Sequence, residues 1–289
     1  MSSFKIITDS ASDLPGDFLQ QHDIGVVPFY ITIDGNTYLK DQVEITVQEF
    51  YRIQRERKQF FKTSLPSVQD YVDEFNKYAK QRDILCFCLS SKLSGSSQSA
   101  INAANIVKDE HLGRNVVVID TLSASLGYGF KIMEAVKCRD KGMTLDQTVQ
   151  AVSKYRSDIL LAVDTLEYLQ MGGRIGKAQA LAGGLLNIKP IIKVVDGVLT
   201  PQTKVRGRSK VVPKLLELLD EAVGANASDY SIGVMHTDCL KDAEAFRDQI
   251  EAKYDIKGKV KIVDVGLVIG VHVGPKILAL TFLKNNPDI

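Results

Sequence analysis

A strand, a loop and a helix are predicted in direct succession within residues 83–107, DILCFCLSSKLSGSSQSAINAANIV. Asp83 to Leu89 is a short, mostly apolar run, which is typical of a strand buried in a parallel sheet. A serine-rich loop follows, and residues 97–107 predict a helix that carries Ala100 and Ile101. In an open α/β sheet such loops converge at the carboxyl ends of the strands, where ligands bind.

The same alternation of strands and helices extends over the first half of the chain. Tyr71, Val72 and Phe75 follow the spacing of an amphipathic helix, and Ser67 with Asp70 predicts a capping box at its start. The predicted strands are residues 5–8, 83–89 and 115–120, and the predicted helices are residues 68–79, 97–107 and 123–141. This succession predicts a Rossmann-like N-terminal α/β domain with a parallel sheet.

The second half of the chain predicts a different sheet. Asp196-Gly197 separates two apolar runs and is a strong signal for a two-residue hairpin. The predicted strands are residues 159–164, 188–195, 198–203, 230–235, 259–265 and 277–283, and the predicted helices are residues 145–156, 210–223 and 240–254. We therefore predict two α/β domains, 1–157 with a parallel sheet and 158–289 with a mixed sheet, and a ligand between them.

Composition excludes several classes of protein. The 289 residues are 45% hydrophobic and 25% charged, as in ordinary globular proteins. With 36 basic and 35 acidic residues, the chain has no global field that would attract nucleic acid, so no such partner is predicted. The chain lacks a signal-peptide pattern at its start, and its apolar runs are too short to span a bilayer. These features predict a cytoplasmic protein with at most transient membrane contact.

Two serine-rich segments are predicted to form a ligand site. The first is the turn Lys62-Thr63-Ser64-Leu65-Pro66-Ser67, and the second is the turn from Leu89 to Ala100; each is predicted where a loop leads into a helix. Hydroxyls and free N–H groups at helix starts suit an anionic oxygen group, so a small acid or phosphate is the first hypothesis. Gly95, with Ser94 and Ser96 on either side, lets the backbone approach a ligand closely. The alternative is an N-cap cluster for the following helix, and the two roles are compatible.

Asp9 offers a competing interpretation. It follows the first predicted strand, where a carboxylate could act as a nucleophile or a metal ligand in a phosphatase or phosphotransferase. A structural alternative is that Asp9 caps the next helix or fixes the loop through local hydrogen bonds. The sequence contains no Walker lysine loop and no Gly-x-Ser-x-Gly elbow.

Arginine and histidine residues add further candidates. Arg174 follows Gly172-Gly173 and Arg206 follows the predicted hairpin; each suits a carboxylate or phosphate, or a solvated charged surface. His272 lies between glycines and before Pro275, which predicts a tightly specified loop that touches a ligand. The remaining histidines do not cluster with it in sequence, so no zinc site is predicted.

In combination, these motifs resemble the DegV family of bacterial fatty-acid-binding proteins. Each motif alone is common, but their order along nearly the whole chain is specific. The motifs are Thr8-Asp9-Ser10, Thr63-Ser64-x-Pro66-Ser67, Ser90-Ser91-Lys92-Leu93-Ser94-Gly95, Val118-Ile119-Asp120-Thr121, Gly172-Gly173-Arg174, Ile188-Lys189-Pro190, Lys204-Val205-Arg206-Gly207 and His272-Val273-Gly274-Pro275.

The resemblance implies two α/β domains that bury one palmitate-like fatty acid between them, with no further cofactor, no metal and no catalytic machinery of the chain's own. It implies that the chain is the acyl-binding subunit of fatty acid kinase, which presents the carboxylate to a dihydroxyacetone-kinase-like ATP-binding subunit. By position, Thr63, Ser94 and His272 would hold the carboxylate, with Gly95 and Ser96 beside it. Arg174 and Arg206 would form a basic rim that meets the kinase subunit.

Two positions depart from the pattern that the family commonly has. Ser96-Ser97 stands where Thr-Tyr is common, so a missing aromatic residue could change the shape of the cavity. Lys276 follows Pro275 where glycine is common, which predicts a different local backbone.

Overall fold

The structure is a computed structural model that describes residues 4–57, 60–111, 113–182 and 187–285. In these residues the strands form three sheets. The strands are β1 (Phe4–Asp9), β2 (Ile24–Val27), β3 (Tyr30–Thr32), β4 (Tyr38–Lys40), β5 (Lys62–Ser64), β6 (Asp83–Cys88), β7 (Val116–Asp120), β8 (Ser157–Ala162), β9 (Ile188–Val195), β10 (Val198–Arg206), β11 (Tyr230–His236), β12 (Lys261–Asp264) and β13 (Leu278–Lys284). The helices are α1 (Gly16–Gln21), α2 (Val47–Arg57), α3 (Val68–Asn76), α4 (Ser96–Glu110), α5 (Leu126–Asp140), α6 (Leu145–Val152), α7 (Glu167–Met171), α8 (Val211–Val223), α9 (Leu240–Tyr254) and α10 (Leu267–Val273).

The N-terminal sheet is parallel, with the strand order β2-β1-β6-β7. Alternate residues of each strand face opposite layers. Cys86 of β6 packs in the cluster formed with α3 and α4, whereas Leu85 and Phe87 pack in the cluster that contains α5. The predicted parallel domain is confirmed, and so is the capping box, because Ser67 accepts the N–H of Asp70 while the Asp70 carboxylate accepts that of Ser67.

The second large sheet is mixed, as predicted, with the order β10-β9-β8-β13-β11-β12. Its β11–β12 pair is parallel and its other pairs are antiparallel. Asp196 and Gly197 make the predicted hairpin turn, with φ of 47° and 79°. α8 and α9 cover one face of this sheet. The strands of this sheet start at Ser157, and the exact boundary between domains 1–157 and 158–289 stays a prediction.

Helix α5 lies between the two large sheets. Twelve of its 15 residues are buried, and it contacts β1 on one side and β8, β11 and β13 on the other. Glycines allow this close packing, because a Cβ at Gly127 would lie 2.9 Å from Ile159 Cγ1 and a Cβ at Gly233 would lie 3.1 Å from Phe130 Cζ. The helix starts later than predicted, since Leu122 and Ser125 have left-handed backbones with φ of 49° and 51°.

A small antiparallel sheet, β4-β3-β5, was not predicted, and neither was α2. Lys62 to Ser64 was expected to form part of a turn that leads into a helix, but it is strand β5, paired with β3. Strands of three residues are too short to show a period of two, and the polar side chains of β5 carry no hydrophobic signal. The loop before the helix is therefore shorter than expected and spans residues 65–67.

The structure also corrects the prediction for residues 270–275. They were expected to form a tightly specified loop, but His272 lies on α10. Gly270 is helical, and its role is close packing, because a Cβ there would lie 3.1 Å from Tyr51 Cζ and 3.3 Å from Phe50 Cε1. Only Gly274, with φ of 78°, makes the turn. Lys276 also has a left-handed backbone, with φ of 60°, a conformation in which glycine is favoured.

Replacing Gly233 by alanine should destabilise the protein, because the added methyl group would collide with Leu126 and Phe130 of α5. We expect the free energy of unfolding to fall by about 1–3 kcal/mol, as for other overpacked cores. Chemical denaturation measures this change. Gly16→Ala is the matched control, because a Cβ at Gly16 meets nothing within 4 Å. Equal stability of the Gly233→Ala variant and the wild type would contradict the close packing of α5.

Candidate functional site

A cavity of about 1030 Å³, part of which is open to solvent, lies between the two large sheets. Seventeen of its 23 lining residues are apolar. Leu89 and Ala124 line it from the N-terminal sheet and its loops, whereas Ile159, Val194 and Met235 line it from β8, β9 and β11. A cavity with this lining suits a mainly apolar ligand.

Thr63 and His272 form a polar contact in the wall of this cavity. Thr63 Oγ1 lies 3.0 Å from His272 Nε2, although the two residues are 209 positions apart in the chain. β3 positions Thr63, because Thr63 pairs with Ile31. The last turn of α10 positions His272, and this helix is anchored by buried apolar side chains such as Leu267 and Val268. The predicted meeting of these two residues is therefore present in the structure.

Ser94 and Arg174 line the same cavity. The Ser94 hydroxyl oxygen accepts the N–H of Ser96 at 3.2 Å, so its proton remains for another acceptor. Arg174 Nε donates to the carbonyl oxygen of Leu93 at 3.2 Å, and Arg174 Nη1 donates to the carbonyl oxygen of Gly172 at 2.6 Å. The first bond ties the arginine to the loop that carries Ser94, and the second lies within the arginine's own turn. With Ser64 and Ser125, which also line it, four hydroxyl-bearing residues, an imidazole and a guanidinium thus face a cavity that is otherwise mainly apolar.

Burial controls the protonation of His272. Desolvation, followed by the nearby charge of Arg174, lowers the pKa of His272 from 6.5 to about 4. The imidazole is therefore neutral at pH 7. Its Nδ1 atom is buried and has no hydrogen-bond partner within the described part of the chain.

Three predicted site residues do not line the cavity. Ser96 is fully buried, and its hydroxyl donates to Asp9 at 3.0 Å and lies 2.6 Å from Tyr71 Oη, so it faces the N-terminal core. Gly95 precedes α4 as its N-cap and is exposed. Arg206 is exposed at the end of β10. The Ser96 hydroxyl thus faces the core and not the cavity, whereas contact of Gly95 with the ligand stays a prediction.

Asp9 is fully buried and does not line the cavity. Its carboxylate accepts the N–H of Leu89 at 2.9 Å, the Ser96 hydroxyl at 3.0 Å and the Tyr128 hydroxyl at 2.5 Å. Desolvation raises the pKa of Asp9 to about 6. The bonds to Leu89 and Ser96 fix the loop between β6 and α4, so the predicted loop-fixing role of Asp9 is observed. This position gives no support to a substrate reacting at Asp9.

Sequence reasoning missed two features of the site. The resemblance assigned Arg174 to a rim that meets the partner, but Arg174 also lines the cavity. Ser125, which precedes α5, lines the cavity as well, and its hydroxyl donates to the buried Asp13 carboxylate. The Gly172-Gly173-Arg174 turn was a signal for the first of these residues. No pattern around Ser125 distinguishes it from an ordinary helix start.

The fold and the cavity define a class of α/β protein with two packed sheets and an apolar cavity between them. Comparison with known proteins identifies the family within this class. A family model described as "Uncharacterised protein, DegV family" matches residues 3–285. The chain therefore belongs to the DegV family. A DegV domain-containing protein of Caldanaerobacter subterraneus is 33% identical over 290 residues, which cover 98% of this chain and 99% of that protein.

Solved structures agree with this assignment. A stearic-acid-binding protein from Eubacterium ventriosum has a TM-score of 0.91 and 31% identity, and the match covers 99% of this chain and 100% of that one. A DegV family protein from Thermus thermophilus, described for its fatty acid binding, has a TM-score of 0.86 and 31% identity, with coverage of 98% and 100%. None of the helices in the described residues is long and apolar enough to cross a membrane.

Acidification should destabilise the folded protein through His272. In the unfolded chain the His272 imidazole is protonated near pH 6.5, and in the folded chain only near pH 4. The free energy of unfolding should therefore fall as the pH drops through this window. Asp9 and Asp41, with pKa values raised by burial to about 6 and about 7, contribute in the opposite direction. The measurement is therefore a difference between the wild type and His272→Gln, which should lack the His272 contribution. An identical pH dependence of both proteins would contradict a lowered pKa.

Proposed function

We propose that this protein binds one long-chain fatty acid, such as palmitate, with its tail in the cavity and its carboxylate at Thr63, Ser94 and His272. The observation that carries this proposal is a mainly apolar cavity between two sheets that also contains hydrogen-bond donors. The fatty-acid-binding relatives share the fold over nearly the whole chain, which supports the same class of ligand.

The energetics permit tight, reversible binding. Burial of a methylene group contributes about 0.8 kcal/mol, so about fourteen of them in a palmitate tail contribute on the order of 11 kcal/mol. Lost translational and conformational freedom removes several kcal/mol of this sum, by rough estimate. The buried carboxylate requires donors, and the Thr63 and Ser94 hydroxyls can supply them. The tail therefore provides most of the affinity, and the head group provides orientation.

We further propose that the chain does not itself activate the fatty acid. It presents the carboxylate to a separate, dihydroxyacetone-kinase-like ATP-binding subunit. There a carboxylate oxygen attacks the γ-phosphorus of ATP, the bond to the β-phosphate oxygen breaks, and acyl phosphate and ADP result. Neutral hydroxyl donors support this role, because they hold the carboxylate without neutralising its charge. Arg174, at the cavity, and Arg206, exposed at the end of β10, are the basic groups offered to the partner.

Gently purified protein should contain a fatty acid that native mass spectrometry detects, and the delipidated protein should bind added palmitate. Thr63→Ala and Ser94→Ala should each weaken palmitate binding roughly tenfold, because each removes a donor to a charged group. Ser91→Ala is the matched control, since Ser91 lies in the same serine-rich loop, is exposed and does not line the cavity. Protein that carries no lipid and does not respond to palmitate would refute the function. Unchanged binding in both variants would refute the head-group site.

The partner role is tested at the two arginines. Arg206→Ala and Arg174→Ala should weaken association with the ATP-binding kinase subunit, because each removes a charge that can pair with a phosphate or carboxylate. Arg114→Ala is the control: this exposed residue precedes β7 at the opposite end of the parallel strands. Palmitate affinity is measured in parallel, since Arg174 also lines the cavity. If both variants associate with the kinase subunit as tightly as the wild type, Arg174 and Arg206 do not form the partner-binding surface.

A further inference from the structure

Gly172 ends α7 beside the imidazole of His272. Its backbone has φ of −74° and ψ of −8°, which any residue adopts, so the turn itself does not require glycine at this position. The left-handed position of the turn is Gly173, with φ of 68°. A Cβ at residue 172 would fall inside contact distance of His272 Nδ1 and lie 3.0 Å from His272 Cε1. The space left by the missing side chain is therefore occupied by the imidazole.

The His272 ring is held between two neighbours. Its Nε2 edge lies against Thr63 Oγ1, at 3.0 Å. Its Nδ1 edge lies against Gly172, and Nδ1 has no hydrogen-bond partner among the described residues. A buried N–H group without an acceptor is rarer and less favourable in proteins than an under-satisfied acceptor. This environment favours a ring in which Nδ1 is unprotonated and Nε2 carries the hydrogen.

The direction of the Thr63 hydrogen bond follows from this protonation. A hydroxyl has a single proton, and a carboxylate can only accept hydrogen bonds. If Thr63 donated to His272 Nε2, it would offer a carboxylate only lone pairs. When Nε2–H donates to Thr63 Oγ1 instead, the proton of Thr63 is free for the ligand. An acid ligand therefore requires the same tautomer that the Gly172 contact favours.

We propose that Gly172 is a positioning residue of the head-group site. The space it leaves holds His272 against Thr63 in the Nε2–H form, and this makes the Thr63 hydroxyl a donor towards the cavity. The identity of the ligand rests on the proposed function, whereas the position and tautomer of the ring do not. A methyl group at residue 172 is accommodated by displacement of the imidazole, because the ring atoms of His272 are the nearest atoms to it.

The test is a double-mutant cycle with Gly172→Ala and His272→Ala, read out as palmitate affinity. In the wild-type background, Gly172→Ala should weaken binding roughly tenfold, because the Thr63 donor loses its orientation. In the His272→Ala background the same change should alter affinity by less than about twofold, since the two residues act through one contact. Gly16→Ala, whose added Cβ meets nothing within 4 Å, should leave affinity unchanged. An equal loss in both backgrounds, or no loss in either, would overturn the proposal.

A second measurement needs no ligand. The chain has four histidines, so nitrogen-15 NMR of histidine-labelled protein can assign His272 by the signals lost in His272→Ala. Wild-type His272 should be the Nε2–H tautomer, and Gly172→Ala should shift its ring signals. The Nδ1–H tautomer, or unshifted signals, would overturn the proposal even if palmitate binding holds. If the protein binds no palmitate, the proposed function fails and the NMR result alone decides on Gly172.

Folding of the variants provides a further check. Should Gly172→Ala fail to fold, the double variant Gly172→Ala/His272→Ala should fold again, because the ring that meets the added methyl group is gone. A double variant that also stays unfolded would overturn the proposal.

Discussion

The contact between Thr63 and His272 is the interaction on which the site depends. It joins residues that are 209 positions apart, so it forms only when three separate conditions are met. β3 must pair with β5, α10 must pack against Phe50 and Tyr51 of α2, and α7 must leave space for the ring. The small sheet and α2 therefore contribute Ile31, Phe50 and Tyr51 to the main core and also place one hydroxyl at the cavity between the large sheets.

Two buried carboxylates, at the end of β1 and shortly after it, hold the surrounding loops. Asp9 accepts the N–H of Leu89 and the hydroxyl of Ser96, so it fixes the start and the end of the loop that carries Ser94. Asp13 accepts the hydroxyl of Ser125 and, at 3.0 Å, the N–H of Gly266, the residue before α10. Burial raises the pKa of both groups, because desolvation makes the charged carboxylate less favourable than the neutral acid. The two carboxylates thus fix the loops that surround the cavity without lining it themselves.

The sequence allowed prediction of the long elements, since β6, α4 and the hairpin at Asp196-Gly197 carry strong local signals. It also allowed prediction that Thr63, Ser94 and His272 line one site, through motifs and their order. It could not show that His272 lies on a helix, because glycine marks both turns and close packing, and at Gly270 close packing is the reason. Ser96 was misplaced because a serine's sequence neighbours do not determine whether its hydroxyl faces the cavity or the core.

Helix α5 belongs to the N-terminal half by sequence, yet most of its surface is covered by both sheets. The division of the chain into two halves by sequence therefore does not match the packing, in which α5 belongs to both sheets. A fragment that ends near residue 157 would retain α5 but lose the strands that cover one face of this helix. The fragment would therefore expose a broad apolar surface. For this reason the two halves should melt together in a single cooperative transition, and neither should persist as an independent folding unit.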